Sequence, residues 1–159
     1  MMSICDFLKI SVLQNLFFEN RSTIKGELSP FLMSNTKAIE DLINGYATSE
    51  DSSFLIPNVT EDFLAVRPSG NPISAKGLVG MFDSKDLVAE SSELIKTHKI
   101  EIYGEIAYAV FTLNEIFNYK GNQNKDLSTY TCIFKNVNGI WKYSWMQRSQ
   151  GTTDMTTWE

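Results

Sequence analysis

Two residues on the late strands of this chain can accept a proton from a bound molecule, His98 and Glu115. His98 is the single histidine of the 159-residue sequence. Alternation along residues 94–103 sets it on an inner face with Lys96, Ile100 and Ile102, opposite Phe111. There it is either a hydrogen-bonded core residue or a functional base. Glu115 lies in the run Leu113-Asn114-Glu115-Ile116-Phe117. The same alternation carries it inward with Phe111 and Leu113. An even match across a polar loop over 120–125 brings Tyr130 into its layer, with Gln147 opposite Tyr130. A carboxylate beside Tyr and Gln is either a general base or, with Lys96, half of a structural ion pair. Tyr46 or Tyr130 is then the neutral donor to a developing enolate oxygen. Arg67 can hold a carboxylate or enolate bidentately, or anchor the turn that follows it. No second histidine and no acidic cluster has metal-ligand spacing, so no metal is expected, and chemistry of this kind calls for no cofactor.

These residues depend on a final hairpin closed by Asn138-Gly139. Both residue types tolerate the positive φ of a type I′ turn, so Val137 is expected to face Ile140. That register collects Tyr130, Cys132, Phe134, Trp141, Tyr143, Trp145 and Gln147 on one aromatic wall. Thr131, Ile133, Lys135, Lys142, Ser144, Met146 and Arg148 fall on the other face. The wall either floors a ligand pocket or is core. The other face is half apolar, which calls for a homodimer through the outer side of the sheet.

Ahead of the hairpin, Ile39, Leu42, Ile43, Tyr46 and Ala47 recur at helical spacing, with Asn35 or Thr36 as cap. A helical turn is expected near residues 50–55 and a strand over 63–67. Pro68-Ser69-Gly70-Asn71-Pro72 reads as a turn, and Ser74 can cap a second helix over 75–82. Strands over 94–103, 106–119 and 126–137 complete the meander, with Gly104-Glu105 as a two-residue turn. Residues 36–150 are read as one domain. Residues 1–35 are an amino-terminal extension, either a helix packing through Ile4, Leu8, Val12 and Leu16 or sequence ahead of a start at Met33. Residues 151–159 are a tail. Helices followed by an antiparallel meander make an α+β layout.

Composition narrows the function class. The hydrophobic fraction of 43% and the charged fraction of 21% are those of a globular domain. A net charge of −5 with no basic run argues against nucleic acid. The apolar amino end is interrupted by Asp6 and Lys9 and lacks a basic leader, so neither a secretory signal nor a membrane span is expected. The two cysteines, Cys5 and Cys132, are far apart and read as reduced thiols in a cytoplasmic protein.

The order helix 39–47, strand 63–67 with Arg67-Pro68-Ser69-Gly70, helix 74–82, then four long strands ending in Gly139-Ile140-Trp141-Lys142-Tyr143-Ser144-Trp145, resembles the nuclear transport factor two-like superfamily. The SnoaL-like branch is the nearest in pattern. The resemblance covers residues 36–150. It implies a cone-shaped curved antiparallel sheet wrapped around the amino-terminal helices, the cystatin-like or nuclear transport factor two-like roll. Such folds host isomerases, dehydratases, cyclases and epoxide hydrolases, and also non-catalytic dimerisation, transport or partner-binding modules. The family's enzymes place an acid or His at the wide end of the cone against a helix-borne Tyr or Asp. Here Trp145 and Gln147 stand on the last strand where many relatives carry ionisable groups. The expectation is a small apolar ligand in a pocket lined by Tyr46, Arg67, Phe111, Tyr130, Tyr143, Trp145 and Gln147. A cofactor-independent isomerase, dehydratase or cyclase is the alternative.

Overall fold

Helix α1 spans Pro30–Thr48 and buries Ile39, Leu42, Ile43 and Ala47 along one stripe, as their spacing demands. The structure, a computed structural model, describes residues 30–151 and the side chains of 33–151. The expectations for residues 1–29 and for the tail beyond Gly151 lie outside the described residues. The helix begins ahead of the expected cap. Asn35 is therefore inside it, and its Oδ1 accepts a hydrogen bond from Trp141 Nε1 at 3.1 Å.

After a 3-10 turn at Ser52–Phe54, a short helix α2 (Leu55–Asn58) leads into β1 (Val59–Val66). Gly45 in α1 leaves room for the Phe54 ring, which a β-carbon there would strike. The turn after Arg67 joins β1 to a short antiparallel β2 (Pro72–Ser74), and α3 (Ala75–Asp83) follows. Ser74 caps α3, its Oγ accepting from Gly77 N at 3.2 Å. Strands β3 (Leu87–Tyr103), β4 (Ile106–Tyr119), β5 (Asn122–Val137) and β6 (Ile140–Gly151) then form the meander.

All six strands make one sheet in the order β2-β1-β6-β5-β4-β3. The sheet is curved and open, and it is mixed rather than wholly antiparallel, because β1 runs parallel to β6. The Asn138-Gly139 turn forms as expected: Val137 pairs with Ile140, and both turn residues have positive φ, 55° and 86°. The polar stretch 120–125 is not a loop. Lys120-Gly121 alone turn the chain, and Asn122 already pairs with Tyr119.

Bulges decide which side chains face inward. In β6 an extra residue, Ser144, sits between the pairs Phe134–Tyr143 and Ile133–Trp145. Beyond it the alternation inverts. Cys132 pairs with Met146 and Tyr130 with Arg148, so Met146 and Arg148 face inward. Trp145 and Gln147 pair with Ile133 and Thr131 on the outer face. The expected register is corrected here, for both the aromatic wall and the outer patch. In β3 three register shifts raise its curvature. The last, between Thr97 and Lys99, leaves His98 as the extra residue. Its Nε2 lies 2.8 Å from Thr112 Oγ1, on the face opposite Phe111, so the inward placement of His98 and Lys96 is also corrected.

The inner face up to the β6 bulge is core. Phe134 packs on Tyr143 with ring centroids 4.6 Å apart, and Phe111 stacks on Tyr130 at 5.3 Å. The Tyr143 hydroxyl donates to the Leu42 carbonyl of α1 at 3.0 Å, which ties helix to sheet.

Candidate functional site

Past this core the inner face turns polar across four adjacent strands. Ser92 on β3, Glu115 on β4, Asp126 on β5 and Arg148 with Gln150 on β6 are brought together by pairing: Ser92 opposes Glu115, and Glu115 opposes Asp126. Arg148 is the hub. Its Nε donates to Glu115 Oε2 at 3.2 Å, and its Nη2 donates to Asp126 Oδ2 at 2.6 Å. Its guanidinium also lies 5.0 Å from the Phe117 ring centre. Gln150 Nε2 donates to Asp126 Oδ1 at 2.9 Å, and the Tyr130 hydroxyl donates to Glu115 Oε1 at 2.8 Å. Both oxygens of each carboxylate are therefore engaged. The three charged side chains are 14%, 7% and 17% exposed for Glu115, Asp126 and Arg148.

Burial opposes the charge on Arg148, but Tyr130, Glu115 and the bond to Asp126 outweigh it and raise its pKa. Burial pushes the Tyr130 hydroxyl well up, helped by Tyr46 and by the Glu115 charge. Tyr46 is raised in the same way, first by burial and then by Glu115. The two tyrosines meet edge to face at 5.5 Å. Both stay neutral donors at physiological pH.

This polar plate closes one side of a cavity of about 540 Å³. Apolar lining comes from Leu55 of α2, Ala65 of β1, Ile73 of β2 and Leu78, Met81 and Phe82 of α3. Arg67 and Asn71 stand at its edge, where Arg67 Nε donates to the Asn71 carbonyl at 3.3 Å.

Of the residues proposed from sequence, Tyr46, Arg67, Glu115 and Tyr130 line this one cavity. Phe111 and Tyr143 are fully buried in the core beside it. Trp145, Gln147 and His98 are on the other face of the sheet. Asp126, Arg148, Ser92 and Gln150 were missed. A two-residue turn at Lys120-Gly121 pairs Glu115 with Asp126 by counting alone, so the Gly121 signal could have found Asp126. Nothing in the residue pattern announces the extra Ser144 that turns Arg148 inward. Among the described residues no group of three or more His, Cys, Asp or Glu side chains is placed to hold a metal ion.

The family model described as "Protein of unknown function (DUF3804)" matches residues 34–159. The chain belongs to the DUF3804 family. A crystal structure of an NTF2-like protein of unknown function from Prochlorococcus sp. NATL2A is 47% identical. It covers 82% of this chain and 100% of its own, with a TM-score of 0.71. The fold of this DUF3804 protein is thus NTF2-like. More distant structures share that fold alone. A putative ketosteroid isomerase from Parabacteroides distasonis is 18% identical over 72% of this chain and 86% of its own, with a TM-score of 0.56. A hexachlorocyclohexane dehydrochlorinase (LinA) type 2 is 14% identical over 76% and 87%, with a TM-score of 0.63. No curated protein matches the sequence.

Proposed function

We infer that this DUF3804 protein binds a small, largely apolar molecule between α3, β1 and the polar end of the sheet. The cavity itself carries the reading. About 540 Å³ of open space lies within the range of small-molecule sites, roughly 300–1,000 Å³. Its lining has the composition of such sites too, apolar walls with a few convergent polar groups. Butylbenzene is a suitable neutral probe. It should shift NMR resonances of cavity residues in the native protein, and Ala89→Trp, which fills the cavity from β3, should abolish those shifts. Undiminished binding in that variant places the site elsewhere.

The cofactor-independent isomerase, dehydratase or cyclase reading rests on Glu115 and two tyrosines facing one cavity. Glu115 is already held at both oxygens, by Tyr130 and Arg148, so its arrangement supports anchoring more than proton abstraction. Should turnover be found, Glu115→Gln retaining the full rate would exclude it as base.

The outer face supports self-association. Tyr103, Ile106, Ile133, Val137 and Ile140 are exposed on one side of adjoining strands, an apolar patch that a second copy would cover. Met146 has no part in it. Solution mass tests this: Ile133→Lys should convert a dimer to a monomer, and a monomeric native protein ends the proposal. A cytoplasmic setting fits the free, fully buried Cys132. No helix among the described residues is long and apolar enough to cross a membrane.

A further inference from the structure

The polar plate has spare hydrogen-bonding capacity of one kind. A guanidinium has five N–H groups. Arg148 spends one from Nε on Glu115 and one from Nη2 on Asp126. Among the described residues, both Nη1 protons and the second Nη2 proton have no partner. Ser92 lines the same cavity, directly opposite Glu115 in register, and its buried hydroxyl has no hydrogen-bond partner among the described residues. A buried donor without a partner is costly unless a ligand or water completes it. The carboxylates, by contrast, are each met at both oxygens: every oxygen of Glu115 and Asp126 already receives a hydrogen bond. At the plate the groups left without a partner include the N–H groups of Arg148 and the Ser92 hydroxyl, and an acceptor oxygen on a ligand would complete them.

Charge decides which acceptor. Asp51, Glu115 and Asp126 line the cavity against Arg67 and Arg148, three carboxylates to two guanidiniums. At the plate itself Arg148 is shared between two carboxylates. An anionic head would meet a surplus of negative charge in a poorly solvated site, where repulsion is weakly screened. A neutral oxygen takes the free N–H groups without that cost. Leu78, Met81 and Phe82 in the same lining favour an apolar body.

Building on the ligand-binding reading, we propose that the cavity selects neutral molecules with an apolar body and a carbonyl-type oxygen, which Arg148 and Ser92 anchor. Ketones, esters, lactones and amides meet that description, and carboxylates of the same shape do not. Arg148 is thereby both the tie between β4, β5 and β6 and the ligand's donor. Its double tether to Glu115 and Asp126 holds the guanidinium in place before the ligand arrives, which lowers the ordering cost of binding.

Three probes of matched shape test this by calorimetry at neutral pH: 4-phenyl-2-butanone, 3-phenylpropanoate and butylbenzene. The ketone and the carboxylate differ by a methyl group in place of a charged oxygen. The ketone should bind about tenfold tighter than either of the others, the difference one good hydrogen-bonded contact makes. Ser92→Ala removes the unpartnered hydroxyl and breaks no existing bond, so the fold should be retained. It should weaken the ketone about threefold or more and leave butylbenzene unchanged. Arg148→Lys keeps the charge but loses the fork, and it should bring the ketone down toward the hydrocarbon. Carboxylate binding as tight as the ketone, or a ketone preference untouched by both variants, overturns the proposal while the cavity reading stands. If butylbenzene and the ketone both fail to bind, the cavity reading falls and this proposal with it.

Discussion

At the scale of single residues, Arg148 is where fold and site meet. Removing it leaves Glu115 and Asp126 side by side, mostly buried and without their shared cation. Arg148→Met should therefore cost about 3–5 kcal/mol in urea unfolding, the usual penalty for breaking a buried pair from one side. Adding Asp126→Asn and Glu115→Gln should recover much of it, since the stranded charges go too. A single-variant loss under 1 kcal/mol would show that water solvates both carboxylates well. His98 makes the opposite case. It is drawn below the usual histidine value by burial first and by Lys96 second. A folded value below the unfolded one means the unfolded chain takes up the proton first. The contribution of His98 is thus present above about pH 6.5 and is lost as pH falls through that value. An NMR titration midpoint below 6.5 is expected, and His98→Gln should leave ligand binding unchanged because His98 faces away from the cavity.

At the scale of elements, the Ser144 bulge sorts β6 into two halves with opposite faces. Substitution reads it directly. Met146 is 3% exposed, so Met146→Lys buries an unpaired charge and should cost about 3 kcal/mol. Gln147→Lys, one residue on, points outward and should stay within about 0.5 kcal/mol. Equal costs at both positions would mean that the strand does not bulge. The β3 bulges act in the same way at the edge of the sheet. They place His98 against Thr112 instead of Phe111, and they bend the edge strand, which also discourages pairing with other chains.

At the scale of the whole domain, the aromatic core sets the alkaline limit. Tyr46, Tyr130 and Tyr143 are all raised, in each case chiefly by burial. Their unfolded value is about 10. Above that pH the unfolded chain releases these protons while the folded chain keeps them. The stability they contribute is complete below pH 10 and declines as pH rises past it. Tyrosinate absorbance from the buried rings and loss of the circular-dichroism signal should appear as one transition. Full ionisation of all tyrosines with the fold intact would contradict the buried placement.

What the sequence determined by itself was whatever depends on neighbours along the chain. The stripe Ile39, Leu42, Ile43, Ala47 reads as a helix because helical periodicity is local, and Ser74 reads as a cap because its bond spans three residues. Asn138-Gly139 fixed one hairpin because few dipeptides accept two positive φ values in succession. From such pieces the NTF2-like fold was legible, as were four of the cavity residues: Tyr46, Arg67, Glu115 and Tyr130. Only the tertiary structure decided which face β6 and β3 present past their bulges. A single inserted residue inverts every later side chain, and whether the strand absorbs it as a bulge depends on packing against α1 and on pairing with β5. Neither is written in the strand's own residues. That is why Trp145, Gln147 and His98 were expected in the pocket and lie outside it, while Arg148, expected outside, holds the site together.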